Sequence, residues 1–203
     1  MLLLAPILAA LVSVGPAPVV LIDGPSGAGK STLADALAQA WPGPVRPTLV
    51  RLDDIYPGWN GLDAAVAQLT DHVLGPRRRG TPAAWQRYDW VRGQPAEWHP
   101  VERGRPLIVE GCGALAAAHH PLSDIRVWLD ADDRLRKERA LARDGEAFRS
   151  HWDQWQSEWE TYRNRERPER QATIRLSAAP CRAVPPSGIG AGKTAGSATV
   201  RLS

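Results

Sequence analysis

Lysine is nearly missing from this chain. Of its 25 basic residues only those at positions 30, 137 and 193 are lysines, so a lysine inside a motif carries more weight here than in an ordinary composition. Cysteine is as scarce. Cys112 and Cys181 are the only two; they form no CxxC and have no His at zinc spacing, which argues against a disulfide framework or a metal cage. No apolar run reaches the ~18 residues of a membrane span. The reading is therefore of a globular protein with no membrane partner, and localisation defaults to the cytoplasm. Asparagine occurs only at 60 and 164, so there is no Asn-Lys-x-Asp base-reading motif. No Asp-x-x-Gly switch occurs either, which excludes a GTPase switch of that kind. The net charge of +3 suits polyphosphate ligands and is too weak to indicate a nucleic-acid polymer.

What is present is an alternation of short buried runs with helical patterns. Val19 to Asp23, Thr48 to Leu52, Leu107 to Glu110, Ile125 to Asp130 and Ala172 to Leu176 read as strands, which predicts an α/β fold with a parallel sheet of about five strands flanked by helices. Leu33, Leu37 and Trp41 fall on one face of a helix from Ser31 to Ala40 that ends at Pro42-Gly43. At 203 residues one domain is expected, over 19–176. Residues 1–18 have no Lys or Arg ahead of their apolar run, so they read as a packing helix or extension and not as a signal peptide. Residues 57–105 read as a substrate-side insertion with a helix at Leu62 to Leu74 and no evident strand, and 131–165 as a lid and C-terminal helix. Residues 177–203 have the composition of a disordered tail.

Gly24-Pro25-Ser26-Gly27-Ala28-Gly29-Lys30-Ser31 satisfies GxxxxGK[ST] between a strand and an amphipathic helix, the context that makes this a phosphate loop. The glycines let backbone N–H groups turn inward, and the helix N-terminus aims its dipole at the phosphates. The fold this implies is that of the P-loop NTPases of nucleoside- or nucleotide-kinase type. Gly24, Ser26, Gly27, Ala28, Gly29, Lys30, Ser31 and Thr32 form the expected ATP-binding set, with Lys30 reaching the β- and γ-phosphates and Ser31 ligating Mg²⁺. Gly190-Ala191-Gly192-Lys193-Thr194 has Ser187 in place of the first Gly and neither strand nor helix around it, so it reads as a decoy.

Chemistry in an open α/β sheet gathers at the carboxyl ends of its strands. Asp53 follows the second run and Glu110 ends the third. Phosphoryl transfer to a hydroxyl needs a group to orient or deprotonate the nucleophile and an acid to hold Mg²⁺ or its waters; Asp53 suits the first role and Glu110 the second. The bland alternatives are helix capping by Asp53 or Asp54, with Asp54 the better cap, and a structural ion pair for Glu110.

With those residues placed, the order of motifs resembles the uridine kinase-like family of P-loop kinases. Asp53-Asp54-Ile55-Tyr56 is similar to its Asp-x-Phe-Tyr block, Tyr88-Asp89-Trp90 to its Tyr-Asp-Phe block, and Ile108-Val109-Glu110-Gly111 to its Phe-Glu-Gly strand end. Asp133-Arg134-Leu135 to Arg143-Asp144 resembles its Arg-rich lid. The resemblance implies Asp53 as catalytic base, Tyr56, Tyr88 and Trp90 at the acceptor, and lid arginines between 134 and 149, Arg139 and Arg143 among them, on the ATP phosphates, with Arg143 the one that matches the family's Arg before Asp. One departure stands out. Gly93 occupies the position where the family has a His that helps recognise the pyrimidine, so the acceptor is a small molecule bearing a hydroxyl, whether or not it is a nucleoside.

Trp59, Trp85, Trp90 and Trp98 offer either a stacking surface for a planar acceptor or packing, with packing expected for at least two of them. Phe148, Trp152, Trp155, Trp159 and Tyr162 recur at helical spacing and read as a core stripe rather than a ligand box. Arg77-Arg78-Arg79 reads as a solvated turn, and His119-His120 as capping or exposed. The rival functions are a nucleotide-driven switch and a module that holds nucleotide without transferring phosphate; intact Lys30, Ser31, Asp53 and Glu110 argue against the second. A homo-oligomer is left open.

Overall fold

The computed structural model describes residues 3–178 and 200–202. In chain order its elements are α1 (Ala5–Leu11), β1 (Val19–Asp23), α2 (Lys30–Gln39), β2 (Thr48–Arg51), α3 (Leu62–Gln68), α4 (Gly75–Arg79), β3 (Ala83–Asp89), β4 (Gln94–Val101), β5 (Leu107–Glu110), β6 (Ile125–Ala131), α5 (Asp133–Arg149), α6 (Trp152–Glu166), α7 (Pro168–Gln171), β7 (Ile174–Ala178) and β8 (Val200–Leu202). Five parallel strands form the main sheet in the order β2-β5-β1-β6-β7, and β8 pairs antiparallel with β7 at the edge.

β1 lies at the centre, buried along its whole length. Because side chains alternate across a strand, Val19 and Leu21 join one core and Val20 and Ile22 the other. The second core is closed by α1 and α2 through Ile7, Leu11, Leu33, Ala34 and Leu37. The first is closed by α3 and α6 through Leu62, Ala65, Trp155, Trp159 and Tyr162. A strand covered on both faces reads as a continuous apolar run, which is why these strands are visible in the sequence.

Elsewhere the structure departs from the pattern. The helix predicted over 62–74 is α-helical to Gln68 and continues as a π-helical stretch over Leu69–Leu74. The region read as lacking strands contains β3 and β4, an antiparallel hairpin outside the main sheet. Its two strands are mostly half-buried or exposed, with a register shift between Gln86 and Tyr88, so no alternation of polarity marks them. Ala178 completes β7, and Val200–Leu202 pair with it as β8; these residues of the tail expected from 177 are thus strand residues. The rest of that tail, including the Gly-Lys-Thr decoy, lies outside the described residues.

Two polar clusters are also redefined. His119 is buried, not exposed, with its ring nitrogens 2.9 Å from the Ala114 carbonyl and 2.9 Å from the Thr70 hydroxyl. Burial holds its pKa below the usual histidine value. Arg77 is no solvated turn residue: its guanidinium donates to the carbonyls of Ala17, Arg105 and Glu102, tying the insertion to the segments that precede β1 and β5. A cavity of about 530 Å³ lies beside it, bounded by Val19 and Asp124 at the amino ends of the strands. That is the edge opposite the phosphate loop.

Candidate active site

The carboxyl ends of β1, β5 and β2 bring the predicted residues to one edge. From β1 the chain turns through Gly24 and Gly27, both at positive φ (152° and 79°). A Cβ at Gly24 would run into the Leu129 carbonyl and one at Gly27 into the Arg136 carbonyl, so neither position admits a side chain. The loop enters α2 through Gly29 in the left-handed conformation, with no side-chain cap on the helix. The N–H groups of the first turn are therefore left for an anion.

Lys30 is 8% exposed. Its Nζ donates to the Pro25 carbonyl at 3.1 Å and lies 3.6 Å from Cys112 Sγ. Burial alone would lower its pKa, but Cys112, Glu110, Asp53 and Asp23 around it outweigh burial and raise it. The lysine is a held cation. Cys112, which sequence scarcity left without a role, also sits 3.3 Å from the Gly24 carbonyl, and burial pushes its thiol up to about 11. It lies beneath the loop, between Lys30 and the Gly24 carbonyl.

Asp23 is the residue that the pattern concealed as the last letter of an apolar strand. It is fully buried and accepts from the N–H groups of Gly24 (2.7 Å), Leu115 (2.9 Å) and Gly113 (3.3 Å) and from the Tyr162 hydroxyl (2.8 Å). It thereby clamps the phosphate loop, the loop after β5 and α6 together. Burial raises its pKa above 3.8 in spite of those donors. The folded state thus binds its proton more tightly than the unfolded chain, and this group's pH-dependent contribution is greatest below pH 3.8 and fades as pH climbs through the raised value. Asp23→Ala strands several buried donors. It is expected to cost about 3 kcal/mol and to lower the thermal midpoint by about 6–12 °C; a midpoint unchanged in calorimetry would remove Asp23 from this role.

Glu110 closes β5 at 2% exposure. Its Oε1 is buried and accepts no hydrogen bond, with Arg51 Nε 3.7 Å away. Burial raises its pKa, Lys30 pulls it back, and the Ser31 hydroxyl lies against the carboxylate. A hydroxyl beside a buried carboxylate oxygen with no donor is a hard-oxygen set that fits Mg²⁺ with its waters. The ion pair with Arg51 is long, so the purely structural reading of Glu110 leaves that oxygen unexplained.

Asp53 sits in a 3₁₀ turn, Leu52–Asp54, directly after β2. Neither it nor Asp54 caps a helix, and Asp54 has its pKa raised by burial and by Asp53. Asp53 faces a cavity of about 280 Å³ walled by Ser26, Tyr56, Trp59, Trp90, Arg143, Phe148 and Trp155. Arg143 reaches to 3.6 Å from its carboxylate. α5 is broken at Gly145 (φ 65°, ψ −147°), and the break lets both Arg143 and Phe148 reach one wall. On an unbroken helix, positions five apart would point about 140° away from each other.

The other expectations divide. Tyr56 and Trp90 line the cavity, while Tyr88 stands outside its wall, edge-on behind Trp90 at 5.5 Å. Arg139 is likewise not brought to the wall. On the same helix it is Arg136 whose backbone abuts the loop at Gly27, with its side chain held by Asp133, Gln156 and the faces of Trp152 and Trp159. Trp85 stacks on His99 and Trp98 meets His72, away from the cavity. The aromatic stripe is core, as its spacing implies, but Phe148 and Trp155 do double duty on the wall, and Trp155 Nε1 donates to Ser26 Oγ at 2.8 Å. Helical spacing alone cannot separate a residue facing core from one facing a cavity inside it. Gly93 ends the hairpin turn at φ 67°, its N–H on the Asp89 carbonyl at 2.7 Å. A left-handed turn position disfavours any side chain there.

No protein-family model matches the chain, and no curated protein matches it. Among solved structures it is similar to one described as a possible uridine kinase from Bacillus stearothermophilus. The TM-score is 0.63 at 17% identity, over 86% of this chain and 99% of that one. A candidate fructose transport system kinase from Silicibacter sp. TM1040 aligns with a TM-score of 0.48 at 17% identity, over 83% of this chain and 94% of that one. The fold is that of the P-loop kinases. No helix among the described residues is long and apolar enough to cross a membrane.

Proposed function

We propose that this chain is an ATP-dependent phosphotransferase acting on a hydroxyl of a small molecule. The observation that carries the reading is Asp53 facing a walled cavity on the same sheet edge as the phosphate loop, Lys30 and the donorless Glu110 oxygen. The loop N–H groups and Lys30 take the ATP phosphates, and Arg143 supplies a second cation from α5. Ser31 and Glu110 would hold Mg²⁺, which supplies positive charge to the phosphates when bound. Asp53 receives the acceptor hydroxyl and its proton. The alcohol oxygen attacks the γ-phosphorus, the bond from that phosphorus to the β,γ-bridging oxygen breaks, and ADP departs with that electron pair.

An acceptor seated between the packed aromatic rings would displace water from the γ-phosphate, which separates transfer from hydrolysis. ADP release is therefore expected to be slow with ATP alone and to rise at least about tenfold with an accepted alcohol. A coupled ADP assay over a broad set of alcohols, with and without each, measures this directly. Hydrolysis at the same rate whatever alcohol is added would instead favour a nucleotide-driven switch.

A further inference from the structure

The walls of the 280 Å³ cavity are chemically lopsided. Five of its eight residues are aromatic, and three of those rings give their single polar atom to another group of the protein. The Tyr56 hydroxyl donates to the Cys112 carbonyl at 2.8 Å, Trp90 Nε1 to the Asp53 carbonyl at 2.9 Å, and Trp155 Nε1 to the Ser26 hydroxyl at 2.8 Å. Ser26 is further engaged by Cys112 Sγ at 3.7 Å. Asp53 and Arg143 meet each other at the phosphate end. Among the wall's side chains, the remaining polar capacity is the Trp59 indole N–H, the paired Asp53 and Arg143, and the lone pairs left on the Tyr56 and Ser26 hydroxyl oxygens.

The rings are also fixed in place. Trp59 stacks with Phe148 (5.4 Å, 11°) and with His151 (4.7 Å, 14°) and meets Trp90 at 4.9 Å; Tyr56 meets Trp155 edge-on at 4.8 Å. A ligand in this cavity touches ring faces and edges that cannot rotate to offer polar tips. A base edge or a sugar with several hydroxyls carries more donors and acceptors than this wall can pair, and each one left unpaired away from water costs on the order of tenfold in affinity. A flat apolar group loses nothing and gains stacking contact.

Resting on the phosphotransferase reading, we infer that the acceptor is a flat, largely apolar alcohol, an aromatic or conjugated ring carrying one hydroxyl or hydroxymethyl group that reaches Asp53. The transfer is the one already described, from ATP to that oxygen with ADP leaving. The aromatic wall selects the ring and Asp53 selects the hydroxyl.

The test gives the wild-type protein ATP and Mg²⁺ with naphthylmethanol, uridine or glucose at equal concentration and follows ADP release. In parallel, calorimetry measures each alcohol binding to protein loaded with a non-hydrolysable ATP analogue. Naphthylmethanol is expected to exceed the other two by at least about tenfold in kcat/KM. Trp90→Leu should lose about tenfold or more of that value, and Trp90→Phe, which keeps a ring but not the bond to Asp53, should lose less than Trp90→Leu. Affinity for the ATP analogue should not change in either. Preference for uridine or glucose overturns the acceptor class and leaves the phosphotransferase reading intact. ADP release with none of the three, although naphthylmethanol binds in a Trp90-dependent way, overturns the phosphotransferase reading and supports the ligand class. Absence of both binding and release overturns the inference.

Discussion

Lys30→Ala is expected to reduce acceptor-dependent ADP release by roughly three orders of magnitude. Lys30 is buried among Cys112, Glu110, Asp53 and Asp23, which together keep it protonated. On the proposed reading it is thus a preorganised cation where charge would develop on the transferring group, with no reorganisation needed. Removing it also takes away the counter-charge that draws the Glu110 pKa back down, so the Mg²⁺ ligand weakens together with the phosphate contact. Lys30→Met, which fills the same space without charge, controls for packing. ADP release by both variants at saturating ATP, beside their thermal midpoints, decides the matter. A folded variant with near wild-type turnover would remove this loop from the chemistry.

Asp53→Asn should leave nucleotide binding in place and lower transfer by roughly two or more orders of magnitude. Asp53 sits on the cavity, beside Arg143 and with its carbonyl held by Trp90, so the amide keeps the geometry and loses the proton acceptor. Glu110→Gln should behave differently: activity recovers in part as Mg²⁺ is raised, because the loss is one of metal affinity. The pH dependence has a sign. Burial raises the Glu110 pKa above 4.5, and the carboxylate is a ligand only when ionised. Apparent Mg²⁺ affinity is therefore expected to fall as pH drops through that raised value, and this fall should be absent in Glu110→Gln. Mg²⁺ titrations of the three proteins at two pH values check both statements. Equal rescue of the two variants would put Asp53 in the metal shell.

Much of this site was legible before any coordinates. The phosphate loop declares itself because its spacing and its strand-to-helix setting are local properties, and Glu110 because an apolar run that ends in an acid stands out. The hairpin did not, since strands with little buried surface carry no polarity alternation. Asp23 was hidden by its own burial: a carboxylate satisfied by three N–H groups and a tyrosine looks, in one dimension, like the end of a strand.

The sequence by itself determined the five parallel strands of the α/β fold, the GxxxxGK[ST] loop with Lys30 and Ser31, and the acids Asp53 and Glu110 at strand ends, because each rests on contacts within a few residues or on a repeating polarity. Only the tertiary structure decided that β1 lies between β5 and β6, that Arg143 reaches Asp53, and that Phe148 and Trp155 wall a cavity while remaining in the core stripe. It also decided which aromatic tips are spent inside the protein. Those outcomes depend on hydrogen bonds and packing between residues as far apart as Ser26 and Trp155, and a pairing across more than a hundred positions leaves no periodic trace in a single chain.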